Sequence, residues 1–497
     1  MLEKLKQTVK HTGFFALGNI SPKLSGFILL PIYTKLISVA DYGILGLFEV
    51  VELLSVHILS FGIPQALLRW HGLTESEIKK KNYIFTLFIF LTCICVGSFL
   101  IILSSRSFLA EFLFGQNIFA NYFVVLFISI SFTVLSKLPL TLLRSEEKSH
   151  LYATFISIQF AFNLIANIYF VAILKYGVKG ILISQAISTG LIFLILTPYL
   201  FKRMNPHLEL AELKKMILFS YPFIFSAIAS TILNVGDRYL LTKLSTLEQV
   251  GLYSLGYKFS NIMKMLLVDS FMLGLPVIGW KIVKENSQPK RFFSKVLTYM
   301  VFGLLWFGLI LSAYCKGMIH RFASNPNYWD AYHVVPFFVL SIIFVGMQSL
   351  FFFELQIPQK TKLIPRIVGC AAVLNIILNI LLIPKYGMMG AVYATVFAQF
   401  IALFVAYRVV QKVYPVKYEI NRILILFGIA IGLFFITAVF NNYSLIERII
   451  YKGLVILSFP FILYLIRFYE PIELDRIRGS IKKWSGKILL RKPPKMD

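Results

Sequence analysis

The chain has 497 residues, of which 58% are hydrophobic, 16% aromatic and 14% charged, and its formal net charge is +26 at pH 7. Soluble domains are about half apolar and about one-quarter charged, so this composition, with a mean hydropathy of +0.78, excludes a soluble domain and indicates a membrane-embedded protein. The four cysteines lie in or at the end of apolar runs, and neither a zinc-ligand spacing nor a P-loop motif occurs, so the sequence predicts no disulfide, no metal site and no cofactor.

Apolar runs long enough to cross a bilayer follow one another along almost the whole chain. A hydrocarbon core about 30 Å thick requires roughly 20 apolar residues in each spanning helix. Fourteen runs meet that requirement, at residues 12–34, 42–63, 83–104, 118–141, 151–174, 180–201, 216–241, 250–275, 296–315, 332–353, 363–383, 387–407, 423–440 and 449–466. The sequence therefore predicts an all-α polytopic membrane protein with 14 transmembrane helices.

The basic residues predict how these helices are oriented. An even number of spans places both termini on the same side, and most of the 49 Lys and Arg residues lie in loops on that side, which the positive-inside rule assigns to the cytoplasm. Because the charges are spread over short loops, they indicate topology, and nucleic acid is not a predicted partner. Beyond Arg467, apolar residues at helical spacing alternate with basic ones, which predicts a helix on anionic membrane lipid; a solvated, frayed tail is the alternative.

An internal repeat divides the first twelve predicted helices into two sets of six. YTKLISVADYG at residues 33–43 returns as LTKLSTLEQVG at 241–251, and LKYGVKG at 174–180 returns as PKYGMMG at 384–390, each after an Asn-x-x-x-Asn pair. Because six is an even number, the two copies have the same orientation and are related by an axis along the membrane normal. The predicted domains are an N-terminal lobe at 1–215, a C-terminal lobe at 216–410, helices 13 and 14 at 411–467, and a basic amphipathic tail at 468–497.

Ionisable side chains well inside the spans are confined to the first two helices of each repeat. One charge facing lipid at the centre of the bilayer costs at least about 2.5 to 3.5 kcal/mol, so these groups are expected to face one another or water. We predict that they line a hydrated cleft between the two lobes, with cations and carboxylates in balance. The cleft residues are Lys23, Glu49, Glu52, His57, Asp237, Arg238, Lys258, Lys264 and Asp269. Of these, the predicted substrate-binding residues are the four cations and one partner: Lys23, Arg238, Lys258 and Lys264, with Asp237.

Two interpretations are open for the adjacent residues Asp237 and Arg238. In the first, Arg238 binds an anionic substrate and Asp237 holds it in place; in the second, Arg238 snorkels to the outer headgroups with Asp237 as its partner. On the eighth helix, Lys258 and Asp269 project from one face, whereas Lys264 points to the side. In the first helix, Lys23 follows a proline and serves either the substrate or a structural ion pair between the lobes.

Some of the cleft residues can titrate. A poorly hydrated cavity raises the pKa of a carboxylate toward neutral pH, so that its protonation can be coupled to ion movement. Glu49, Glu52, His57 and Asp269 are therefore the candidates for a proton or sodium relay. The alternatives are that Glu49 and Glu52 balance Lys23, and that His57 is a neutral, hydrogen-bonded packing residue.

The order of several motifs resembles that of a known family. The chain is similar to the Wzx-type polysaccharide flippases of the multidrug/oligosaccharidyl-lipid/polysaccharide exporter superfamily through GNISPKLSGFILLPIYTKLIS, DYGILGLFE, FGIPQALLRW, NVGDRYLLTKLSTLEQVGLYSLGYKFS and the two KYGxxG turns. The resemblance covers residues 10 to 465. It implies two six-helix lobes in a V shape around a cavity lined by helices 1, 2, 7 and 8, with helices 13 and 14 forming a groove for a lipid tail.

The resemblance also implies a function and a location. The family implies movement of an undecaprenyl-pyrophosphate-linked oligosaccharide from the cytoplasmic to the periplasmic leaflet of the bacterial inner membrane, with membrane lipids and the polysaccharide polymerase machinery as further partners. Asp237, Arg238 and Lys258 match its Asp-Arg and Tyr-x-x-x-x-Lys patterns, and Lys23 stands where relatives often have a cation. The competing interpretations are a multidrug extruder, which favours an acidic cavity, a membrane glycosyltransferase or polymerase, which usually carries a large external loop, and a channel or scaffold.

Overall fold

Helices make up nearly all of the described part of the chain in this computed structural model, and no strand occurs there. The structure describes residues 28–146, 148–284, 288–358 and 360–470. Most of the predicted first span, including Lys23, and nearly all of the predicted tail lie outside these ranges. The helices are α1 (Leu30–Leu36), α2 (Val39–Leu59), α3 (Ile63–Leu73), α4 (Glu77–Phe114), α5 (Ala120–Ser145), α6 (Ser149–Asn167), α7 (Gly177–Phe201), α8 (Leu210–Val235), α9 (Asp237–Leu244), α10 (Leu247–Met263), α11 (Ser270–Lys284), α12 (Pro289–Phe322), α13 (Val335–Glu354), α14 (Leu363–Tyr386), α15 (Met388–Val413), α16 (Ile420–Val439) and α17 (Leu445–Leu465).

Eleven stretches of helix in the described ranges are long and apolar enough to cross a membrane. They coincide with eleven of the fourteen predicted spans; the predicted span 363–383, for example, lies within Leu363–Tyr386. The predicted seventh and eighth spans are helical as well, but each is interrupted. Gly236 separates α8 from α9, and a π-helical segment, Lys264–Asp269, separates α10 from α11. The all-α prediction is confirmed, and the count of fourteen stays a prediction.

The helices α2 and α10 begin at equivalent hydroxyl residues of the repeat. The side chain of Ser38 accepts a hydrogen bond of 3.1 Å from the backbone N–H of Asp41, and the side chain of Thr246 accepts one of 3.4 Å from that of Gln249. Such caps satisfy an amide that the first turn of a helix leaves without a partner. The repeated sequence therefore sets the start of the same helix in both copies.

Two equivalent glycines let α2 and α10 cross in backbone contact. A Cβ atom on Gly43 would overlap the carbonyl oxygen of Leu247, and a Cβ atom on Gly251 would overlap the carbonyl oxygen of Val39. Val39 and Leu247 occupy the same place in the two copies of the repeat, so the contact is reciprocal. A reciprocal contact is what two like units related by a two-fold axis produce. The repeated glycine is therefore required at the interface between the two copies.

The asparagine pairs of the repeat form the same hydrogen bonds in both copies. Asn167 donates to the carbonyl oxygen of Asn163 at 2.8 Å, and Asn379 donates to that of Asn375 at 2.9 Å. The first asparagine of each pair also donates to a hydroxyl group on the next long helix. The bonds to the hydroxyl groups join neighbouring helices, as is common for polar side chains in apolar helices.

The described residues fall into two compact units: one holds those up to 293 and those from 314 to 417, and the other holds 294–313 and those from 418 onward. In the smaller unit, the middle of α12 packs against α17: the indole N–H of Trp306 donates to the carbonyl oxygen of Ile456 at 3.1 Å, and the Lys452 ammonium donates to the carbonyl oxygen of Ala313 at 2.7 Å. Part of α12 thus belongs with the two last helices. The predicted domain boundaries at 215, 410 and 467 stay a prediction.

The glycine crossing leads to a stability test. Gly43→Ala and Gly251→Ala are each expected to lower the free energy of unfolding by about 1 to 3 kcal/mol, because the new Cβ atom forces two backbones apart. Gly97→Ala is the matched control, since no atom lies within 4 Å of a Cβ at that position, and it should be neutral or slightly stabilising. Thermal unfolding of the purified protein in detergent measures all three, and equal midpoints would contradict the crossing.

Candidate functional site

Three ionised side chains meet where α2 packs against α9 and α10. We call Glu49, Arg238 and Lys258 the Glu49 cluster. The Arg238 Nη1 atom lies 2.8 Å from Glu49 Oε2, and the Lys258 ammonium lies 2.7 Å from Glu49 Oε1. Arg238 Nη1 also donates to the carbonyl oxygen of Gly46 at 3.1 Å. A carboxylate of the first repeat therefore binds two cations of the second.

The glycine crossing explains why these residues meet. Lys258 follows Gly251 by seven residues, which is about two helical turns, so both project from the same face of α10. Aromatic rings cover the cations: the Lys258 ammonium lies 5.0 Å from the ring centre of Tyr42, and the Arg238 guanidinium lies 5.2 Å from that of Tyr257. Such contacts favour a desolvated cation. Two cations against one carboxylate leave the Glu49 cluster with an excess of positive charge.

The members of the Glu49 cluster differ in their exposure. The Arg238 side chain is 3% exposed, whereas 24% of the Lys258 side chain and 30% of the Glu49 side chain are exposed. The buried guanidinium contradicts the interpretation in which Arg238 snorkels to the headgroups, because a snorkelling cation keeps its charged end in water. A ligand can reach Lys258 and Glu49, but not Arg238, without a rearrangement.

The carboxylate of Asp237 is fully buried and faces a different set of partners. It accepts hydrogen bonds from the Tyr253 hydroxyl at 2.5 Å, from the Asn379 amide at 2.7 Å and from the Thr395 hydroxyl. The prediction that Asp237 holds Arg238 in place is therefore wrong. Consecutive residues project about 100° apart around a helix, so Arg238 points to α2 while Asp237 points to α14 and α15.

The predicted orientation of Lys264 is also wrong. Its ammonium lies 2.7 Å from the carboxylate of Asp269, although an α-helix would place residues five apart on different faces. The cause is the π-helical segment that runs from one residue to the other. Its backbone hydrogen bonds join residues five apart, which brings the two side chains together. The charges of Lys264 and Asp269 therefore neutralise each other.

The predicted relay residues have separate partners. Glu52 accepts a hydrogen bond of 2.5 Å from the Gln185 amide on α7, and the Nδ1 atom of His57 lies 3.3 Å from the Thr231 hydroxyl on α8. Glu49 lies in its cluster, and Asp269 pairs with a lysine. The structure thus places the four candidates in four different environments and does not assemble them into one relay.

Some residues of the site were not predicted from the sequence. Gln185 was detectable as an isolated amide in an apolar helix. Tyr253 and Thr395, which donate hydrogen bonds to Asp237, could not be identified from the sequence, because hydroxyl groups are common in such helices. Lys137 lies near the end of the predicted span 118–141, and its side chain lines a cavity together with His57.

Comparisons with known proteins agree with this architecture. Residues 8–280 match the model of a family described as "Polysaccharide biosynthesis protein". The solved structure of the lipid II flippase MurJ, in an inward closed conformation, superposes with a TM-score of 0.76 at 18% identity, covering 92% of this chain and 99% of that one. A point mutant of the Vibrio cholerae MATE transporter VcmN superposes with a TM-score of 0.61 at 16% identity, covering 82% of this chain and 96% of that one.

A membrane protein of Methanocaldococcus jannaschii is 31% identical over 112 residues, which are 21% of this chain and 22% of that protein. The chain therefore matches about a fifth of the length of this relative. The likeness to the solved structures shows the fold, which is that of polytopic membrane transporters with all-α architecture.

The Glu49 cluster leads to a test by charge neutralisation. Glu49→Gln leaves two close cations without a carboxylate and should lower the free energy of unfolding by about 2 kcal/mol or more. Adding Lys258→Met should recover part of that loss, because it removes one of the two repelling charges. Glu52→Gln, one turn along α2, is the control and should have a smaller effect, since the partner of Glu52 is a neutral amide. Additive effects of Glu49→Gln and Lys258→Met would contradict the cluster.

Proposed function

Because the chain belongs to the polysaccharide biosynthesis protein family, we propose that it is a flippase for lipid-linked oligosaccharides. In this proposal it moves undecaprenyl-pyrophosphate-linked glycan units from the cytoplasmic to the periplasmic leaflet of the bacterial inner membrane, for O-antigen, capsule or exopolysaccharide synthesis. It is a transporter and not an enzyme, both termini lie in the cytoplasm, and the polymerase machinery receives the product.

The Glu49 cluster is the observation that carries this proposal. A pyrophosphate cannot enter hydrocarbon unless cations and hydrogen-bond donors replace its water. The cluster holds two cations for one carboxylate, and the Lys258 ammonium is its accessible cation. A phosphate oxygen that binds Lys258 meets a site with an excess of positive charge. The buried Arg238 then acts as a second, positioning cation.

The cluster also suggests how binding and movement are coupled. Glu49 belongs to the first repeat, whereas Arg238 and Lys258 belong to the second, so the ion pairs hold α2 against α9 and α10. The phosphates of a substrate compete with Glu49 for the same cations. Substrate binding therefore replaces contacts between the repeats by contacts with the ligand, which lowers the cost of separating them and favours alternating access.

The last two helices offer a surface for the lipid tail. In the smaller unit, α16 and α17 expose large apolar side chains, including Leu424, Phe435 and Leu457. Apolar side chains that face lipid are compatible with a polyprenyl chain that stays within the bilayer while the polar head crosses. We propose that these helices contact the undecaprenyl chain.

The competing functions fit the site less well. A multidrug extruder for cationic compounds favours an acidic cavity, whereas the Glu49 cluster holds two cations for one carboxylate. A glycosyltransferase or polymerase usually needs a large external loop with catalytic residues. The helices α4 and α12 extend to Phe114 and Phe322, which leaves only short external connections after each of them.

We propose that transport is coupled to a cation at Asp237. This carboxylate is fully buried, the hydroxyl of Thr395 bonds to it, and the amide oxygen of its neighbour Asn379 is buried without a hydrogen-bond donor. Carboxylate, amide and hydroxyl oxygens are the ligands that hard cations prefer. A proton or Na⁺ at Asp237 neutralises the carboxylate, and Glu52, His57 and Asp269 are then secondary candidates.

Reconstituted vesicles provide the test of the transport function. They carry an undecaprenyl-pyrophosphate-linked oligosaccharide, and an impermeant glycosidase reports which leaflet holds the glycan. Lys258→Met should slow flipping about tenfold or more, because one charge-assisted contact with phosphate is lost. Lys258→Arg should keep most of the activity, since the charge remains. Lys385→Gln, an exposed lysine, is the control, and full flipping by Lys258→Met at normal abundance would refute the role of the cluster.

The same vesicles test the coupling ion. With an imposed Na⁺ gradient or pH gradient, the wild-type protein should flip faster with one of the two, which identifies the ion. Asp237→Asn should remove that acceleration because the amide no longer attracts a cation, whereas Glu52→Gln should keep it. Unchanged acceleration in Asp237→Asn, or its loss in Glu52→Gln alone, would move the coupling site away from Asp237.

A further inference from the structure

A cavity of about 330 Å³, separate from the Glu49 cluster, lies between residues of both repeats. Its wall contains three basic side chains and no Asp or Glu among the described residues. The lining residues are His57, Ser60, Gly62, Pro64, Gln65, Lys137, Leu140, Thr141, Arg144, Tyr152, Ile224 and Ala227. A cavity with this lining is polar and positively charged in an otherwise apolar part of the chain.

Lys137 is the residue that requires an explanation. It lies in the apolar helix α5, and its ammonium donates one long hydrogen bond, of 3.4 Å, to the Ser60 hydroxyl. By contrast, Lys258, Lys264 and Lys295 each have a carboxylate at 2.7 Å. A cation within a membrane helix is costly unless an opposite charge compensates it. The protein itself supplies a weak neutral partner to Lys137, so the compensating charge is expected to come from a ligand.

The rest of the wall suits the same kind of ligand. Arg144 follows Lys137 by about two turns of α5 and therefore lies on the same side of the helix. The helix α3 begins at the cavity, with Gly62 as its N-cap at φ +63°. Its first amides already donate to the carbonyl oxygens of Ser60 and Gly62, so the helix contributes only the positive end of its dipole. The positive end of a helix attracts anions. Two cations, one imidazole and a helix start together favour an anion that has several charges and several oxygen atoms.

We infer that this cavity binds a phosphoryl group. The inference rests on the proposed function and deepens it, because it gives the pyrophosphate of the lipid-linked substrate a second binding site, apart from Lys258. The same chemistry is found in the headgroup of an anionic phospholipid, which is the other source of such a group. Lys137 supplies the main charge, and Arg144 and His57 add donors.

Binding of inorganic pyrophosphate to the full chain in phosphatidylcholine nanodiscs tests the inference. Lys137→Met should weaken pyrophosphate binding about tenfold or more, Lys137→Arg should keep most of it, and the exposed-lysine control Lys385→Gln should bind like the wild type. Without pyrophosphate, Lys137→Met should unfold at the same or a higher temperature, because an uncompensated cation has been removed. Equal affinity in the wild type and Lys137→Met, or no binding in the wild type, would overturn the inference.

Phosphatidylglycerol in the nanodiscs distinguishes the two sources. If a lipid headgroup occupies the cavity, phosphatidylglycerol should weaken pyrophosphate binding in the wild type but not in Lys137→Met. If the cavity binds the substrate instead, phosphatidylglycerol should not change the affinity for pyrophosphate. If the wild-type protein flips the glycan lipid but its pyrophosphate binding does not depend on Lys137, this inference is wrong and the proposed function still stands. If pyrophosphate binding depends on Lys137 but the protein flips no glycan lipid, the proposed function is wrong and the phosphoryl site still stands.

Discussion

A single carboxylate, Glu49, holds together two cations that would otherwise repel each other inside a membrane protein. Ionised groups in such an environment are stable only with a partner, so Arg238 and Lys258 require Glu49 as much as it requires them. Because the partners come from different repeats, the electrostatic requirement is also a structural link. The contact between the two repeats at this point depends on the same charges that we propose to bind the substrate.

The glycines at the crossing make this link geometrically feasible. Close approach of α2 and α10 at Gly43 and Gly251 brings the side chains two turns further along within ion-pair distance. Larger residues would hold the helices apart, and each charged group would then face a low-dielectric gap with no partner. Packing therefore precedes electrostatics here: small residues set the distance between helices, and that distance decides which charges can pair.

The two copies of the repeat share a framework but differ in chemistry. In the first copy, Asn167 accepts a hydrogen bond of 2.7 Å from the neutral hydroxyl of Tyr33. In the second copy, the equivalent Asn379 donates to the carboxylate of Asp237. A neutral network can hold helices together, whereas a buried carboxylate can also respond to a proton or a cation. The duplication thus retains its structural asparagines, and within the described residues only the second copy pairs one of them with a carboxylate.

Hydrophobicity and repeat patterns lie in the sequence itself, so the helices, the internal repeat and the candidate charged residues could be predicted without a structure. The partners of those charges could not. Glu49 and Arg238 are far apart in the chain, and their contact depends on how two helices cross, while the pairing of Lys264 with Asp269 depends on a local π-helical segment. Sequence periodicity assumes a regular helix and describes one helix at a time. Which face meets which neighbour is decided only when all the helices pack, because each contact must satisfy the volumes and charges of both partners at once.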